Sequence, residues 1–492
     1  MTKEFLQDLI SFTQQKGFVW GPTPEIYGGS AGFYTYAPLG KLLKNNIENT
    51  VRSVFYEHEF GEVECPTIMP SAVWEASGHL GTFFTDPMVS CAKCKSSFKA
   101  ETLIEEQFAG TPAVSDFEKF FTDNIVACPS CKARMPAVVK AHNLMMKTQL
   151  GLDTEAYNRP ETATTTYLEF LRYHDFYRKK LPFGIFQIGN AYRNEISPRQ
   201  HLLRTREFTQ AEGQIFIFDH QKKDYPKFDE VKADSLPFFP WSQQEKKGNV
   251  IPMSLADAMK NKVLKNKAYA YTLWLTFEIF KRVGIPLDRM RMTQHSPKDM
   301  AFYAEDAWDI EVNLNSFGWT EVCGVHDRTD YDLTQHGIHS KTNFAVLDEE
   351  TGDKKIPHIL EIAFGTGRLT FAILDLFYDK KQDGDGKSVF RVPNQIAPYK
   401  VAVYPLVKKE AVALPAKKLY KDLSKDFMVK YDERGSIGKR YLRASEAGIP
   451  YVVTVDFDGL EDDTVTIRHR DTEEQERVKV SELKDKLKSL LN

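Results

Sequence analysis

The chain has 492 residues, enough for about three domains at roughly 150 residues each, so a single small binding module is excluded. Hydrophobic residues make up 42% and charged residues 27%, a balance that builds packed cores and excludes intrinsic disorder. Lys and Arg number 65 against 68 Asp and Glu, a net charge of −3, so any charge that attracts a polyanion must be local.

No run of about 18 apolar residues occurs, so no membrane-spanning helix is predicted. The opening MTKEFLQDLISFTQQKGF spaces Phe5, Leu6, Leu9, Ile10 and Thr13 as an amphipathic helix, and its acids do not suit a secretory leader. Six cysteines, four of them in two CxxC pairs, favour a metal over disulfides and a cytoplasmic location. A Gly/aromatic stretch (28–40) precedes a helix pattern with Leu42, Leu43, Ile47, Val51, Val54 and Phe55 on one side. The pattern ends near Gly61, and Pro66 and Pro70 punctuate the extended EVECPTIMP segment. The CxxC pairs bracket 91–131, and from 183 to 218 the period becomes two, predicting a strand hairpin. Residues 219–266 are Lys-rich and weakly patterned and read as an insertion. Strand-like runs at 308–331 and 356–364 lead into an apolar helix at 367–378, followed by the linker candidate DKKQDGDGK (379–387).

Beyond the linker, 398–492 reads as a separate α/β domain, its apolar runs alternating with helix-like 409–425 and 438–447. Its charge is uneven: 398–443 carries 12 Lys/Arg against 5 Asp/Glu, and 444–492 carries 7 against 12. No internal repeat or long low-complexity tract interrupts the chain.

Within the hairpin, alternation puts Gln187, Arg193 and Glu195 on one face of the outgoing strand, and Arg204, Arg206, Phe208, Gln210 and Glu212 on one face of the return. Ser197-Pro198 initiates the turn between them. Guanidinium forks match phosphate oxygens and an aromatic ring stacks on a base, so this face suits a nucleotide. It would equally serve as a solvated, salt-bridged sheet. In the segment IPHILEIAFGTGRLTFAILDLFY, Ile359, Glu361 and Ala363 share a face, and Gly365 and Gly367 bend the chain into a helix. Arg368 falls in its first turn, where the helix dipole disfavours a cation by about 0.3–1 kcal/mol and a bound anion would reverse the effect. Glu361 interrupts an apolar run and needs a cationic partner, either a substrate ammonium or an internal arginine.

Cys91, Cys94, Cys128 and Cys131 supply four thiolates, the complement of a closed, structural zinc site; four reduced core cysteines are the alternative. Cys65 and Cys323 read as small core residues. The twelve histidines contain no His-x-His or HExxH pairing, so no imidazole-based catalytic metal centre is expected, and His79, His326 and His336 read as structural.

Together these segments resemble the class II aminoacyl-tRNA synthetases, specifically the glycyl-tRNA synthetases of the homodimeric type. RNE…RTREFTQAE is similar to motif 2, EIAFGTGR to motif 3, and EVECPTIMP (62–70) sits where motif 1 forms the dimer interface. WEASGH (74–79), RPETA (159–163), DMAFYAEDAWDIE (299–311), GWTEVCGVHDRTDYDLTQH (318–336) and GSIGKRYLRASEAGIPYVVTVDFD (435–458) carry the glycine-type resemblance across almost the whole chain. The resemblance implies an α+β fold: an antiparallel catalytic sheet flanked by helices over 1–390, with a zinc-binding insertion at 88–135, the 219–266 insertion, and a C-terminal α/β anticodon-binding domain over 398–492. It implies glycine activation by ATP with Mg²⁺, transfer to tRNA(Gly), structural Zn²⁺ and a homodimer, with no membrane partner.

The residue roles it implies run as follows. Arg193 holds the ATP α-phosphate and Arg368 the γ-phosphate; these two are the catalytic candidates. Asn194, Glu195, Leu203, Arg204, Thr205, Arg206, Glu207 and Phe208 complete the motif 2 side of the ATP site, with Glu321, Val322, Gly365 and Gly367 opposite. Glu161, Phe208, Gln210, Glu212, Arg328, Glu361 and Ala363 surround glycine. On the tRNA side, Arg434, Lys439, Arg440 and Arg443 are the expected phosphate contacts. The sequence departs from the family at Ala363, where a serine is usual; losing one neutral hydrogen bond, roughly 0.5–1.5 kcal/mol, predicts glycine binding weaker by at most about tenfold. RPETATT for RPETAQG, Lys99 for an arginine and Phe302 for a histidine are further departures. Two alternatives differ in class: a non-catalytic synthetase-like nucleic-acid-binding protein, which would have shed the arginines at 193, 206 and 368, and a class II ligase for another small amino acid.

Overall fold

The computed structural model describes residues 3–491 apart from 109, 197, 199, 299, 302 and 381–387. Ser197 of the turn, Phe302 and most of the linker candidate therefore lie outside the described residues. The first helix, α1 (Lys3–Lys16), buries Leu9, Phe12 and Thr13 at the spacing of one helical face. Helix α2 (Pro38–Glu57) opens on a proline whose fixed φ suits the first turn, and buries Leu43, Ile47, Val51, Val54 and Phe55. Leu42, expected with them, is only half-buried.

The strands that follow are β1 (Phe60–Glu62), β2 (Phe183–Tyr192), β3 (Glu207–Ile217), β4 (Ser235–Phe239) and β5 (Ile251–Ser254). After α3 (Lys267–Val283) come β6 (Met290–Gln294), β7 (Asp306–Leu314), β8 (Gly318–Asp327), β9 (His358–Gly365) and α4 (Thr366–Phe377). All nine strands form one sheet in the order β5-β4-β6-β7-β8-β9-β3-β2-β1, antiparallel except for the β1/β2 and β4/β6 pairs. The weakly patterned 219–266 segment thus supplies two strands of this sheet, with Leu236 and Phe238 buried. Its strands are short, lie at one end of the sheet and carry Pro237 and Pro252, which blurs their period in the sequence.

Strand alternation gives the sheet two unlike faces. Ala211, Ile215 and Ile217 of β3 and Leu360, Ile362 and Phe364 of β9 face one core with α2, α3 and α4. Gly213 lies on this face because a Cβ there would come within 2.6 Å of the Phe55 ring, so glycine lets α2 seat against the sheet. Helix α4 is apolar nearly all round because sheet and α2 enclose it, with Leu369, Phe371, Ile373 and Leu374 each at most 1% exposed. The opposite face carries the polar residues and forms the floor of a cavity.

Between β1 and β2 a module with strands at Thr85–Ser90, Ser97–Lys99 and Lys140–Asn143 builds a small core around Val89, Phe98, Leu103, Phe117 and Phe121. The C-terminal part has a second sheet of β10 (Val401–Pro405), β11 (Val429–Tyr431), β12 (Tyr451–Val455), β13 (Thr464–His469) and β14 (Gln475–Lys479), ordered β11-β10-β12-β13-β14. Its first three strands are parallel, as the intervening helices α5 (Glu410–Leu423) and α6 (Ile437–Glu446) require. Among the described residues no helix is long and apolar enough to cross a membrane.

Candidate active site

The registers of the central sheet set one polar row across six strands: Gln187, Glu212, Ala363, Gly324, Asp309 and Thr293 are successive cross-strand partners. A second row runs through Gln214, Glu361 and His326. Ala363 and Gly324 are the smallest members and lie in the middle, so the larger neighbours wall a cavity of about 320 Å³ above them.

One end of this cavity is acidic. Glu161, Glu212 and Glu361 line it, and Arg328 reaches Glu361 at 3.2 Å while Asp332 grips the same guanidinium from behind at 2.8 and 2.9 Å. The internal arginine left open as a partner for Glu361 is therefore Arg328, seconded by Tyr167 (2.8 Å) and His326 (3.1 Å). Glu161 contacts His79 at 3.4 Å, and Glu212 accepts hydrogen bonds from Thr162 and, at 2.6 Å, Gln210. These environments pull the three carboxyls apart. Burial raises Glu161, but His79 and Arg328 outweigh it and hold the group below the ordinary carboxylate range. Glu361 is likewise raised by burial and brought below its usual value by Arg328 and His326. Among the described residues no cation forms an ion pair with Glu212; burial and then the charges of Glu361 and Glu161 outweigh the more distant Arg328 and push it well above the usual value.

The other end is cationic. Arg193 is packed between the rings of Phe84 and Phe208, at 5.7 and 5.6 Å, and its Nε donates to the Pro160 carbonyl at 3.1 Å. Arg368 sits in the first turn of α4, donating to the Leu203 carbonyl and to the Glu321 carboxylate, both at 3.1 Å. Glu321 offsets the unfavourable dipole contact without an anionic ligand. A Cβ on Gly367 would lie 2.8 Å from the Tyr36 hydroxyl, so this turn takes glycine for close packing. Glu195, Leu203, Arg204, Thr205, Val322 and Gly365 complete this end.

Three of the expected residues are absent from the cavity lining. Arg206 ties the motif 2 return to the Gly/aromatic loop, its backbone N–H donating to Gly32 and its guanidinium to Ala31 and Glu195 carbonyls. Asn194 spends its backbone on Leu144 and His142, and Glu207 accepts from Asn190. His79 and His326, read from the sequence as structural, contact the cavity's carboxylates, whereas His336 is buried outside the lining. Arg159 had no assigned role. It is 1% exposed and donates to Asn190, Cys65, Thr165 and Gln187, anchoring the segment that presents Glu161. The RPETA string was its signal, since arginine directly before a buried proline-carboxylate turn invites an anchoring reading.

The cysteines test the zinc expectation. The Cys91–Cys131 and Cys94–Cys128 sulfurs are each 3.6 Å apart, and all four lie within 4.8 Å of one another. A tetrahedral ion with about 2.3 Å bonds sets its sulfurs about 3.8 Å apart, so the residues fit. Both pairs sit in the same knuckle: Lys95 and Lys132 follow in left-handed conformation and donate back to the Cys91 and Cys128 carbonyls. In the C-terminal domain Arg434, Lys439 and Arg443 are exposed, but Arg440 is 2% exposed and its guanidinium donates to the Pro405 and Leu406 carbonyls. Its length and charge are absorbed by the domain's own backbone, which removes it from the expected phosphate-contacting set.

A mixed sheet of this order with motif-bearing strands β3 and β9 at the cavity defines the class II aminoacyl-tRNA synthetase architecture. Residues 149–233 match the family described as tRNA synthetase class II core domain (G, H, P, S and T), and residues 400–490 match Anticodon binding domain. The solved prolyl-tRNA synthetases of Giardia lamblia and Cryptosporidium parvum share the fold at TM-scores of 0.62 and 0.60. They are 14% and 15% identical, and each alignment covers 99% of this chain and 79% and 78% of theirs. Glycine–tRNA ligase of Pyrococcus horikoshii is 39% identical over 99% of this chain and 98% of its own. That of Methanococcus maripaludis is 35% identical over 97% and 99%. The chain belongs to the glycine–tRNA ligase family.

Proposed function

We infer that this chain is a glycine–tRNA ligase: it activates glycine with ATP to glycyl adenylate and pyrophosphate, then esterifies glycine to the 3′ end of tRNA(Gly). The observation that carries the reading to the residues is the polarity of one cavity, three carboxylates at one end and Arg193 and Arg368 at the other, with Ala363 and Gly324 between. An amino acid with no side chain fits with its ammonium among the carboxylates. Its own carboxylate then faces the arginines, where the ATP phosphates lie.

The glycine carboxylate attacks the α-phosphorus in line, so catalysis needs positioning and charge stabilisation rather than a protein nucleophile. Arg193, held flat by two rings, is suited to the α-phosphate, and Arg368 releases Glu321 to take the γ-phosphate. Phe208 offers a face to adenine. Glu195 and Glu321 provide oxygen donors fit for the Mg²⁺ that accompanies ATP, whose charge offsets that of the leaving pyrophosphate. Larger amino acids meet the buried side chains of Glu212 and Glu361 that wall the chamber, and steric rejection serves without an editing domain. The four cysteines hold structural Zn²⁺. The segment around Ile68, whose strand pairs with 154–158 and leaves Ile68 exposed, is the proposed homodimer contact.

Glycine-dependent ATP–pyrophosphate exchange tests the assignment. Exchange with glycine and not with serine, threonine or proline is expected. Exchange with another amino acid only would reassign the substrate, and none with any would favour the non-catalytic binding protein. Arg368→Ala should reduce exchange by at least about 100-fold, the scale of losing one preorganised charge contact in the transition state, with an unchanged circular dichroism spectrum.

A further inference from the structure

Beside the carboxylate chamber three strands bring together His295 and Asp309, which no role above uses, and His326, so far placed only against Glu361. His295 follows the end of β6, Asp309 lies on β7 and His326 on β8. The registers put all three on the cavity face: Asp309 pairs with Thr293 and Gly324, His326 pairs with Ala307, and the His295 backbone N–H donates to Ala307. The two imidazoles thus flank Ala307, and the two small residues Ala307 and Gly324 leave room between them. We propose that His295, Asp309 and His326 form a second metal-binding site, for a borderline divalent transition ion of the Zn²⁺ type.

The geometry is that of a facial three-ligand set. One donor atom from each residue lies within 4.8 Å of the others, and His295 Nε2 stands 2.9 Å from Asp309 Oδ2. An ion with bonds of about 2.0–2.1 Å holds its tetrahedral ligands about 3.3 Å apart, so small side-chain adjustments suffice. The two rings lie 5.8 Å apart at 86°, close enough for one nitrogen of each to reach a shared ion. His326 Nδ1 is 3.1 Å from Glu361 Oε2, the outer carboxylate that fixes a ligating imidazole with its proton on Nδ1 and its lone pair on Nε2. Two nitrogens and one carboxylate suit zinc, cobalt or nickel, whereas Mg²⁺ prefers an all-oxygen shell. The three side chains are 17–22% exposed and line the cavity, so an ion can enter, and three protein ligands leave a coordination position open toward it. No local motif announces the set, because each ligand comes from a different strand.

The test is Co²⁺ titration of the chelator-stripped full chain, followed by metal content and absorption. Two equivalents per chain are expected: one with intense thiolate-to-metal charge transfer from the cysteines, and one with visible d–d bands and no thiolate contribution. His295→Ala with Asp309→Asn should lose the second equivalent alone, and the retained thiolate band reports an intact fold. Where that band is also lost, Gly324→Ala provides the second variant. Its Cβ would lie 2.7 Å from His326 Cε1, displacing the ring and weakening the second equivalent by at least about tenfold. A single equivalent that disappears on replacing the four cysteines would overturn the proposal. So would a second equivalent that persists in these variants, or one displaced by millimolar Mg²⁺.

Discussion

Glu212 and Ala363 face each other across β3 and β9, and each makes a separate prediction about glycine. In the free chamber Glu212 is raised, by burial first and by Glu361 and Glu161 next, so it holds its proton above the usual carboxylate range. An ammonium placed among the three groups favours the ionised form, so binding expels that proton. The sign follows: between the bound and free pKa values, glycine affinity rises with pH, by up to about tenfold per unit for one released proton. Calorimetric titration of glycine in buffers of different ionisation enthalpy should read close to one proton released, and Glu212→Gln should read none. At Ala363 a serine hydroxyl would regain one neutral hydrogen bond, about 0.5–1.5 kcal/mol. Ala363→Ser should lower the KM for glycine in exchange by about two- to tenfold with little change in kcat.

Elements are positioned by buried polar contacts that their own periodicity does not announce. Lys44 and Glu48 of α2 are 4% and 6% exposed and pair at 2.7 Å. Lys44 donates to Thr209 of β3, and Glu48 accepts from Thr366 at the start of α4, so one i,i+4 pair joins the strand of motif 2 to the helix of motif 3. Burial pulls the Lys44 pKa down and Glu48 only partly restores it, the pattern of a desolvated pair. Removing one partner strands a charge, so Lys44→Ala should cost about 3–5 kcal/mol, while Lys44→Met with Glu48→Leu should cost less. Urea unfolding followed at the central sheet distinguishes the two. Arg159 acts similarly on a smaller scale, holding the turn that carries Glu161 through four hydrogen-bond acceptors.

At the scale of the molecule, the net charge of −3 averages unlike parts. The acidic chamber and the arginine end share one cavity, and the C-terminal domain concentrates its cations between 398 and 443. That domain is tied to the rest of the chain by Arg470, which donates to the Val392 carbonyl, and by Glu446, which pairs with Lys16 of α1 at 2.7 Å. Lys439 and Arg443 lie on the exposed side of α6, far in sequence from every cavity residue. Lys439→Glu with Arg443→Glu should leave glycine-dependent exchange unchanged. The same pair should raise the KM for tRNA about tenfold or more and flatten the salt dependence of aminoacylation, since each lost phosphate contact removes about 0.7 from the logarithmic slope on single strands. An equal loss in exchange would place these residues in the fold rather than at the tRNA.

Strand alternation and helical spacing are local, so the 183–218 hairpin, the polar face containing Glu212 and the Glu361/Ala363 face were legible in the sequence by itself. The motif strings likewise sufficed for the class and for most of the cavity lining, because glycines, arginines and carboxylates recur there at set offsets. What the tertiary structure decided is which charges meet. Arg328 satisfies Glu361, His79 satisfies Glu161, and Glu212 is left with neutral donors. Arg440 turns inward to backbone carbonyls, and Arg206 and Asn194 serve the loops instead of the cavity. A side chain's period tells which face it takes, but its ionisation and its partner depend on strands that pair across long stretches of chain. Register alone brings those strands side by side.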